Sequence, residues 1–527
     1  MEESQPMFEM GQRVHSVGDT RRIGTVKYIG PVEGYSGTWV GVDWDNGDGK
    51  HDGSVNGVRY FQATLEKSAS FVRPQNLSSG ITFLEALMVR YQGQTTKEEE
   101  DEMYVLSASN KKVSIQLIGK DKIQNKLNHF EELCSASLAY LGVSSAGNPS
   151  QISSLVPNLK ELDLTGNLIF NWKEIAAVCQ ELPALSALNL SNNMMSLDVS
   201  CLCVLKTIRI LVLNYTGVNW KQVELLKDCL PSLEELHLMG NKISEITPAS
   251  NFVQGFSSLR ILNLDENCIS DWSEVLKLST LTSLEQLHLS KNNISQVFYP
   301  LTESNNEASS NGAFQNLHCL LLGANNIVDL ASVDSLNSFP RLTDVRLSEN
   351  PIADPGRGGI PRFVLIARLK KVEVFNGSEV SCRERKESEI RYVRLVMAKL
   401  HENRVEIKRQ HPRFYELKSL HGLEDERPFN GATGPQKMSS GLLTINLKCV
   451  GASMGEKPPL VKKLPATTTV GKLKILCETF FKLKSVELKL FLQEEGSPLP
   501  TLLDNEMESL LDVGIGNDST ILVDEES

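Results

Sequence analysis

The 527-residue chain holds no run of about 18 apolar residues, so no segment is expected to span a membrane. Its opening, MEESQPMFEM, is acidic and lacks the apolar stretch of a secretory signal, which points to the cytoplasm. The ten cysteines are scattered, without C-x-x-C or paired zinc spacing. Cys201 and Cys203, separated by one residue, match no common site, so reduced thiols and no metal are expected. Positive charge is in deficit, with 54 Lys and Arg against 65 Asp and Glu and a net charge of -11. That argues against nucleic acid as the main partner, because phosphate binding wants basic patches. There is no P-loop, dinucleotide fingerprint or nucleophile–base pair. Val470-Gly471-Lys472 lacks both the earlier Gly and the following Ser or Thr. The chain therefore reads as a binding protein without a resident cofactor, not an enzyme.

What is present in quantity is one unit repeated eight times between Leu159 and Ile352. Each copy reads L-x-x-L-x-L-x-x-N-x-apolar, as in Leu159-Leu162-Leu164-Asn167-Ile169 and Leu259-Leu262-Leu264-Asn267-Ile269. Successive copies start 26, 23, 25, 26, 25, 33 and 25 residues apart, the period of a leucine-rich repeat. The L-x-L core alternates, so it should form a short strand with one buried face. A single copy cannot bury that face, and stacked copies share one core. The Asn amides should bond turn backbone and form a ladder, with Thr216 substituting in the third copy. Asp163, Asn189, Val212, His237, Asn263, His288, Leu321 and Arg346 fall at one equivalent position on the open face. That face is mixed and mildly acidic, the character of a solvated or protein-binding surface. Two repeats separate His237 from His288, too far for one metal. Trp220 and Trp272 occupy equivalent places and read as packing residues. Phe130–Tyr140 resembles a degenerate earlier copy, with Leu138 standing where Asn is expected.

Residues 8–76 differ. Strand-like runs at 24–29, 38–44 and 58–61 alternate with Gly and Asp clusters, a small barrel-like β module. The stretch Gly49-Lys50-His51-Asp52-Gly53, flanked by Gly37, Trp39, Gly41, Asp45, Gly57, Tyr60 and Phe61, closely resembles the CAP-Gly domain. That resemblance implies a grip on the acidic, aromatic-ended carboxyl-terminal tail of α-tubulin or of plus-end-tracking proteins. Gly49 and Gly53 would let backbone approach the peptide. Lys50 would meet carboxylates. Trp39, Trp44 and Phe61 would wall in the terminal ring, although at least one tryptophan should be core. His51 stands where the family signature has Asn. An imidazole donates one hydrogen bond but offers no amide-like donor–acceptor pair. The module carries eight basic and eight acidic residues, so an acidic tail is not repelled.

The expected organisation is a multidomain α+β chain. A CAP-Gly β-barrel at 8–76 is followed by a linker with a helix (Leu84–Tyr91) and a charged stretch (Thr96–Glu102) at 77–127. A leucine-rich-repeat α/β solenoid then spans 128–376. A capping segment and helix follow at 377–412, where Phe375-Asn376-Gly377, Glu384, Arg385, Glu389 and Tyr392 resemble the cap of short cytosolic repeats. Ile390, Val393, Met397, Leu400 and Ile407 should form that helix's apolar stripe. A linker at 413–440 leads to a ubiquitin-like β-grasp domain at 441–527, which ends without diglycine and reads as a docking module.

The order of these three modules resembles the tubulin-folding cofactor E family over nearly the whole chain. The resemblance implies a chaperone of the cytoplasm and cytoskeleton that binds α-tubulin. It would help assemble or disassemble the α/β heterodimer with tubulin cofactors B, C and D and β-tubulin, any GTP belonging to tubulin. The alternatives are a microtubule-end or signalling scaffold using the same tail grip, or an adaptor to the proteasome or ubiquitin receptors.

Overall fold

The structure is a computed structural model. It describes residues 8–91, 104–106, 112–114, 129–300 apart from 197 and 200–203, 312–423 apart from 399–403, and most of 442–525. Within that last stretch it omits 452–456, 484–486, 494–499, 504–505, 511–512 and 517. Two compact units divide the chain: Met1–Ile269 with Ser273–His288, and Ser270–Trp272 with Leu289–Ser527.

The first unit opens on a five-stranded antiparallel sheet, in the order Ala69–Val72, Tyr35–Trp44, Asp19–Val32, Arg13–Ser16, Leu77–Ser78. Two expected strands lie inside longer ones, and the third shrinks to Val58–Arg59, paired with Ser54–Val55. Val14, Val26, Val40, Val42, Trp44 and Leu77 form its core. The sheet runs to Ser78, slightly past the expected boundary at 76. Ile81–Thr82 then pairs in parallel with Val143–Ser145, which stitches the module to the first repeats. The helix Phe83–Tyr91 buries Phe83, Ala86, Leu87 and Tyr91. Thr82 caps it, accepting from the Glu85 N–H at 3.2 Å while the Glu85 carboxylate accepts from the Thr82 N–H at 2.8 Å. The expected linker also contains an antiparallel pair, Tyr104–Leu106 with Lys112–Ser114, while the charged stretch at 96–102 lies outside the described residues.

Among the described residues, seven three-residue parallel strands follow in this unit, from Ser135–Ser137 to Gln286–His288. Each buries its middle residue, as the alternation requires. The Asn ladder is present. Asn193 Nδ2 donates to the Leu164 and Leu190 carbonyls at 2.9 and 3.0 Å, and its Oδ1 accepts from the Asn167 N–H at 3.1 Å. Thr216 does part of this, donating to its own strand's Leu213 carbonyl at 2.9 Å. Phe130–Tyr140 is indeed an earlier copy, but Leu138 is not its Asn position. The Leu138 carbonyl accepts from Asn167 as the Leu164 carbonyl accepts from Asn193, so Leu138 is the last strand leucine and Leu141 takes the Asn place.

Among the described residues, a short helix Ile152–Leu155 follows the earliest copy, and helices starting at Trp172, Trp220, Trp272 and Leu330 recur two copies apart. Each of these four sends a side chain from its first turn to the extended backbone of the preceding copy. Glu174 accepts from the Ala146 N–H at 2.8 Å, Gln222 donates to the Ser196 carbonyl at 2.9 Å, and Glu274 accepts from the Ile246 N–H at 2.6 Å. In the second unit Ser332 accepts from the Val297 N–H at 2.9 Å. This bond to the preceding copy therefore recurs every second copy. The tryptophans are buried packing residues, as expected.

In the second unit Cys319–Leu321, Asp344–Arg346 and Val374–Phe375 continue in parallel, and Asn376 closes the series by accepting from the Leu347 N–H at 2.7 Å. The expected cap helix is Cys382–Ala398 plus Arg404–Gln410, and Leu400 lies outside the described residues. Its buried line is Tyr392, Val393 and Val396, with Glu384, Ser388 and Glu389 also buried, whereas Ile390 is half-exposed. Polar partners make this part tolerable: Glu384 pairs with Arg362 at 2.8 Å, and Glu389 is hydrogen-bonded to His421 Nε2 at 2.9 Å and paired with Arg413 at 3.5 Å. The linker expected from 413 begins too early. The helix Phe414–Leu420 buries Phe414 and Leu417 against Phe363, Tyr392 and Val393, so the cap continues to about Leu423.

The last domain has the sheet order Leu460–Pro465, Leu442–Cys449, Ser519–Glu525, Leu488–Gln493, Thr501–Leu502. Its first and last strands pair in parallel, and the helix Val470–Phe481 buries Val470, Leu473, Cys477 and Phe481 against them. That is the expected β-grasp topology.

Candidate functional site

The strand Tyr35–Trp44 builds the site by its two-residue period. Val40, Val42 and Trp44 point into the core, so Trp39, Gly41 and Asp43 face the other way. Gly41 lies between Tyr28 on one neighbour and Phe71 on the other, in one row across three strands. Its missing side chain leaves a slot that the Phe61 ring fills: a Cβ at Gly41 would stand 2.4 Å from Phe61 Cε1. Phe71 becomes the hub of a half-exposed aromatic group. Ring centroids of His51, Tyr60, Phe61 and Tyr28 lie 5.2, 5.2, 5.7 and 5.8 Å from it, mostly edge-on, with His51 stacked.

The glycine-rich loop sits on this group. Gly49 and Gly53 serve the loop's own packing. A Cβ at Gly49 would be 2.3 Å from the Ser68 carbonyl carbon, and one at Gly53, whose φ is +96°, would be 2.1 Å from the Phe61 carbonyl oxygen. The Lys50 and Ala69 backbones hold the loop down at 2.7 Å, which leaves the Lys50 side chain exposed. His51 Nδ1 accepts from the Gly53 N–H at 3.2 Å, so the neutral ring carries its proton on Nε2. Burial, first, holds the His51 pKa below its usual 6.5; Asp52 opposes the shift and Lys50 adds to it. Asp52 braces the turn, accepting from the Ser54 N–H at 3.0 Å and pairing with Arg59 at 2.7 Å.

Trp44 corrects the expected site. It is 2% exposed, on the core face beneath the Arg22 guanidinium, and cannot wall a ligand. Trp39 stays half-exposed on the site face, with Arg73 over its ring at 3.8 Å. The site thus gathers Lys50, His51, Phe61 and Trp39, with Gly49, Asp52 and Gly53 as its frame. Sequence reasoning missed Tyr28 and Phe71, which enter only through strand register. It also missed buried Asp43, which accepts from Thr64 Oγ1 at 2.7 Å and anchors the segment leading to Phe71.

The CAP-Gly domain model matches residues 10–77 and the leucine rich repeat model residues 231–294. Tubulin-folding cofactor E of Arabidopsis thaliana is 65% identical over 528 residues, covering 100% of this chain and 99% of that protein. Tubulin-specific chaperone E of Danio rerio is 30% identical over 531 residues, covering 98% of each. A solution structure of the C-terminal ubiquitin-like domain of mouse tubulin-specific chaperone e is 31% identical, covering 18% of this chain and 96% of that one, with a TM-score of 0.15.

Proposed function

The chain belongs to the tubulin-folding cofactor E family, and from that premise we propose that it is a tubulin-folding cofactor that holds α-tubulin by its acidic, aromatic-ended carboxyl-terminal tail. One observation carries this reading: a half-exposed aromatic group centred on Phe71 lies beside an exposed lysine, on the sheet face away from the core. An apolar ring adds to such a group edge-on. The Lys50 ammonium and the His51 Nε2–H supply donors for the carboxylates beside it. No nucleophile or base is needed, because the task is binding.

A second contact with the folded body of the client would come from the concave strands. In the first unit they present Glu161, Ala187, Ile210, Glu235, Ile261 and Gln286 in one row and Asp163, Asn189, Val212, His237, Asn263 and His288 in the next. The tail module is stitched to this array by the Ile81–Thr82 pairing, and Arg21 lies over the Tyr140 ring at 5.3 Å. Two weak contacts on one body then act at high effective concentration. Such a grip suits transfer of the subunit among cofactors B, C and D during assembly or disassembly of the heterodimer.

The test is titration of the full chain with an acidic peptide ending in an aromatic residue. Lys50→Ala should weaken binding severalfold or more, and Phe71→Ala should weaken it further. Unchanged affinity in Lys50→Ala would show that the tail binds elsewhere.

A further inference from the structure

The last domain follows the array through residues 424–441, a polar sequence carrying Gly and Pro. Within the second unit it also meets the cap, among the described residues, at Arg391. Arg391, on the Cys382–Ala398 helix, lays its guanidinium over the Phe363 ring at 3.7 Å. Its Nη2 donates to the Val513 carbonyl at 2.6 Å. The next residue, Gly514, has φ +71°, and a Cβ there would stand 2.5 Å from Arg391 Nε, 2.9 Å from its Cγ and 3.2 Å from Phe363 Cζ. A ring, a flat cation and a bare stretch of backbone therefore interlock.

Both sides are held by their own domains. Phe363 belongs to the buried cluster of the cap with Tyr392 and Val393. The loop is tied back by the Ile515 N–H to the Leu510 carbonyl at 2.8 Å and by the Gly516 N–H to Ser519 Oγ at 3.2 Å, with Leu510 and Ile515 buried. The contact thus joins two preformed surfaces, so little ordering cost is added when it forms. A planar guanidinium can stack and donate at once, which a lysine cannot.

We propose that Arg391 is a releasable clamp that seats the β-grasp domain on the cap through the 513–516 loop. The domain then divides between a seated and a free form, and a partner that needs the loop or the cap face competes with the seat. Surfaces joined by a short tether see one another at roughly millimolar effective concentration. A contact too weak to join separate molecules is well populated under those conditions, and a tenfold loss of affinity frees most of the domain.

The experiment uses the full chain and two variants that strike the seat from opposite sides. Arg391→Ala removes the cation. Gly514→Asn suits the loop, because Asn tolerates positive φ, but its side chain cannot share space with Arg391. Both should raise protease cleavage within 424–441 about threefold to tenfold and speed amide exchange at 513–516, with the melting of the array unchanged. Arg391→Lys, which keeps the charge and loses the stack, should fall between. Wild-type cleavage and exchange in both variants would overturn the clamp, and so would release by Arg391→Ala alone. Should Arg391→Ala unfold the cap, Gly514→Asn decides by itself.

Discussion

Removing one amide should show how the array is held. Asn267 is 5% exposed. Its Nδ2 donates to the Leu238 and Leu264 carbonyls, both at 3.0 Å, and its Oδ1 accepts from the N–H groups of Asn241 at 3.1 Å and Ile243 at 2.9 Å. Asn267→Ala takes a bond from five backbone groups at once, the Asp265 carbonyl at 3.1 Å being the fifth, although the Leu238 carbonyl keeps Asn241 Nδ2 at 2.9 Å. A buried group losing its bond costs about 1–3 kcal/mol. A water entering the vacated space returns part of that, so about 3–5 kcal/mol is expected rather than the full sum. The chain contains its own comparison. Thr216, at the same place in another copy, donates to its own strand's Leu213 carbonyl at 2.9 Å. Asn267→Thr should therefore keep one bond and lose about 1 kcal/mol less than alanine. Because each copy leans on its neighbours, the damage should be local. Amide exchange followed by mass spectrometry should accelerate at Asn241 and Ile243 first and hardly at all in the Arg13–Ser78 sheet. A loss below about 1 kcal/mol, or a threonine variant as damaged as the alanine one, would refute the ladder as a main support of the array.

Gly41→Ala should destabilise the tail module by about 1–3 kcal/mol by overpacking against Phe61, yet cost little in a Phe61→Ala background. Equal costs in the two backgrounds of a thermal double-mutant cycle would refute the slot. His51 prefers its neutral form when folded, because its pKa is lowered. Its contribution is thus whole above the unfolded value near 6.5 and is lost as pH falls through the lowered folded value. His51→Asn should flatten the module's stability between about pH 7 and 5, since Asp52, also lowered, titrates below that range. Burial pushes the Cys319 and Cys477 thiols up to about 12. Alkylation of the native chain at neutral pH should mark exposed Cys134, Cys268 and Cys382 and spare those two, read by mass spectrometry.

The repeats were legible because their leucines serve a local rule: alternate along three residues, bury one face, stack. The equivalence of Trp220 and Trp272 was legible too, but not the doubled spacing, although Trp172, Trp220 and Trp272 stand 48 and 52 residues apart, two periods each time. Trp44 is an error that period alone could have prevented. It stands five positions from Trp39 in one strand, and an odd separation sends two side chains to opposite faces. Gly49 and Gly53 differ in kind. What crowds them is backbone at Ser68 and Phe61, brought near only by the finished fold. Phe71 hides for the same reason, as its meaning is that it lies across from Gly41. The cap boundary was missed through a different failure. Glu389, Arg413 and His421 look like solvent-facing side chains in a row of letters, and they turn inward because Arg413 and His421 both meet the Glu389 carboxylate. Hydrophobic pattern reports what water rejects, but it is silent on what polar groups accept from one another. Arg391 belongs to that silent class: nothing in its neighbours along the chain marks it, and its significance rests on a carbonyl 122 residues away.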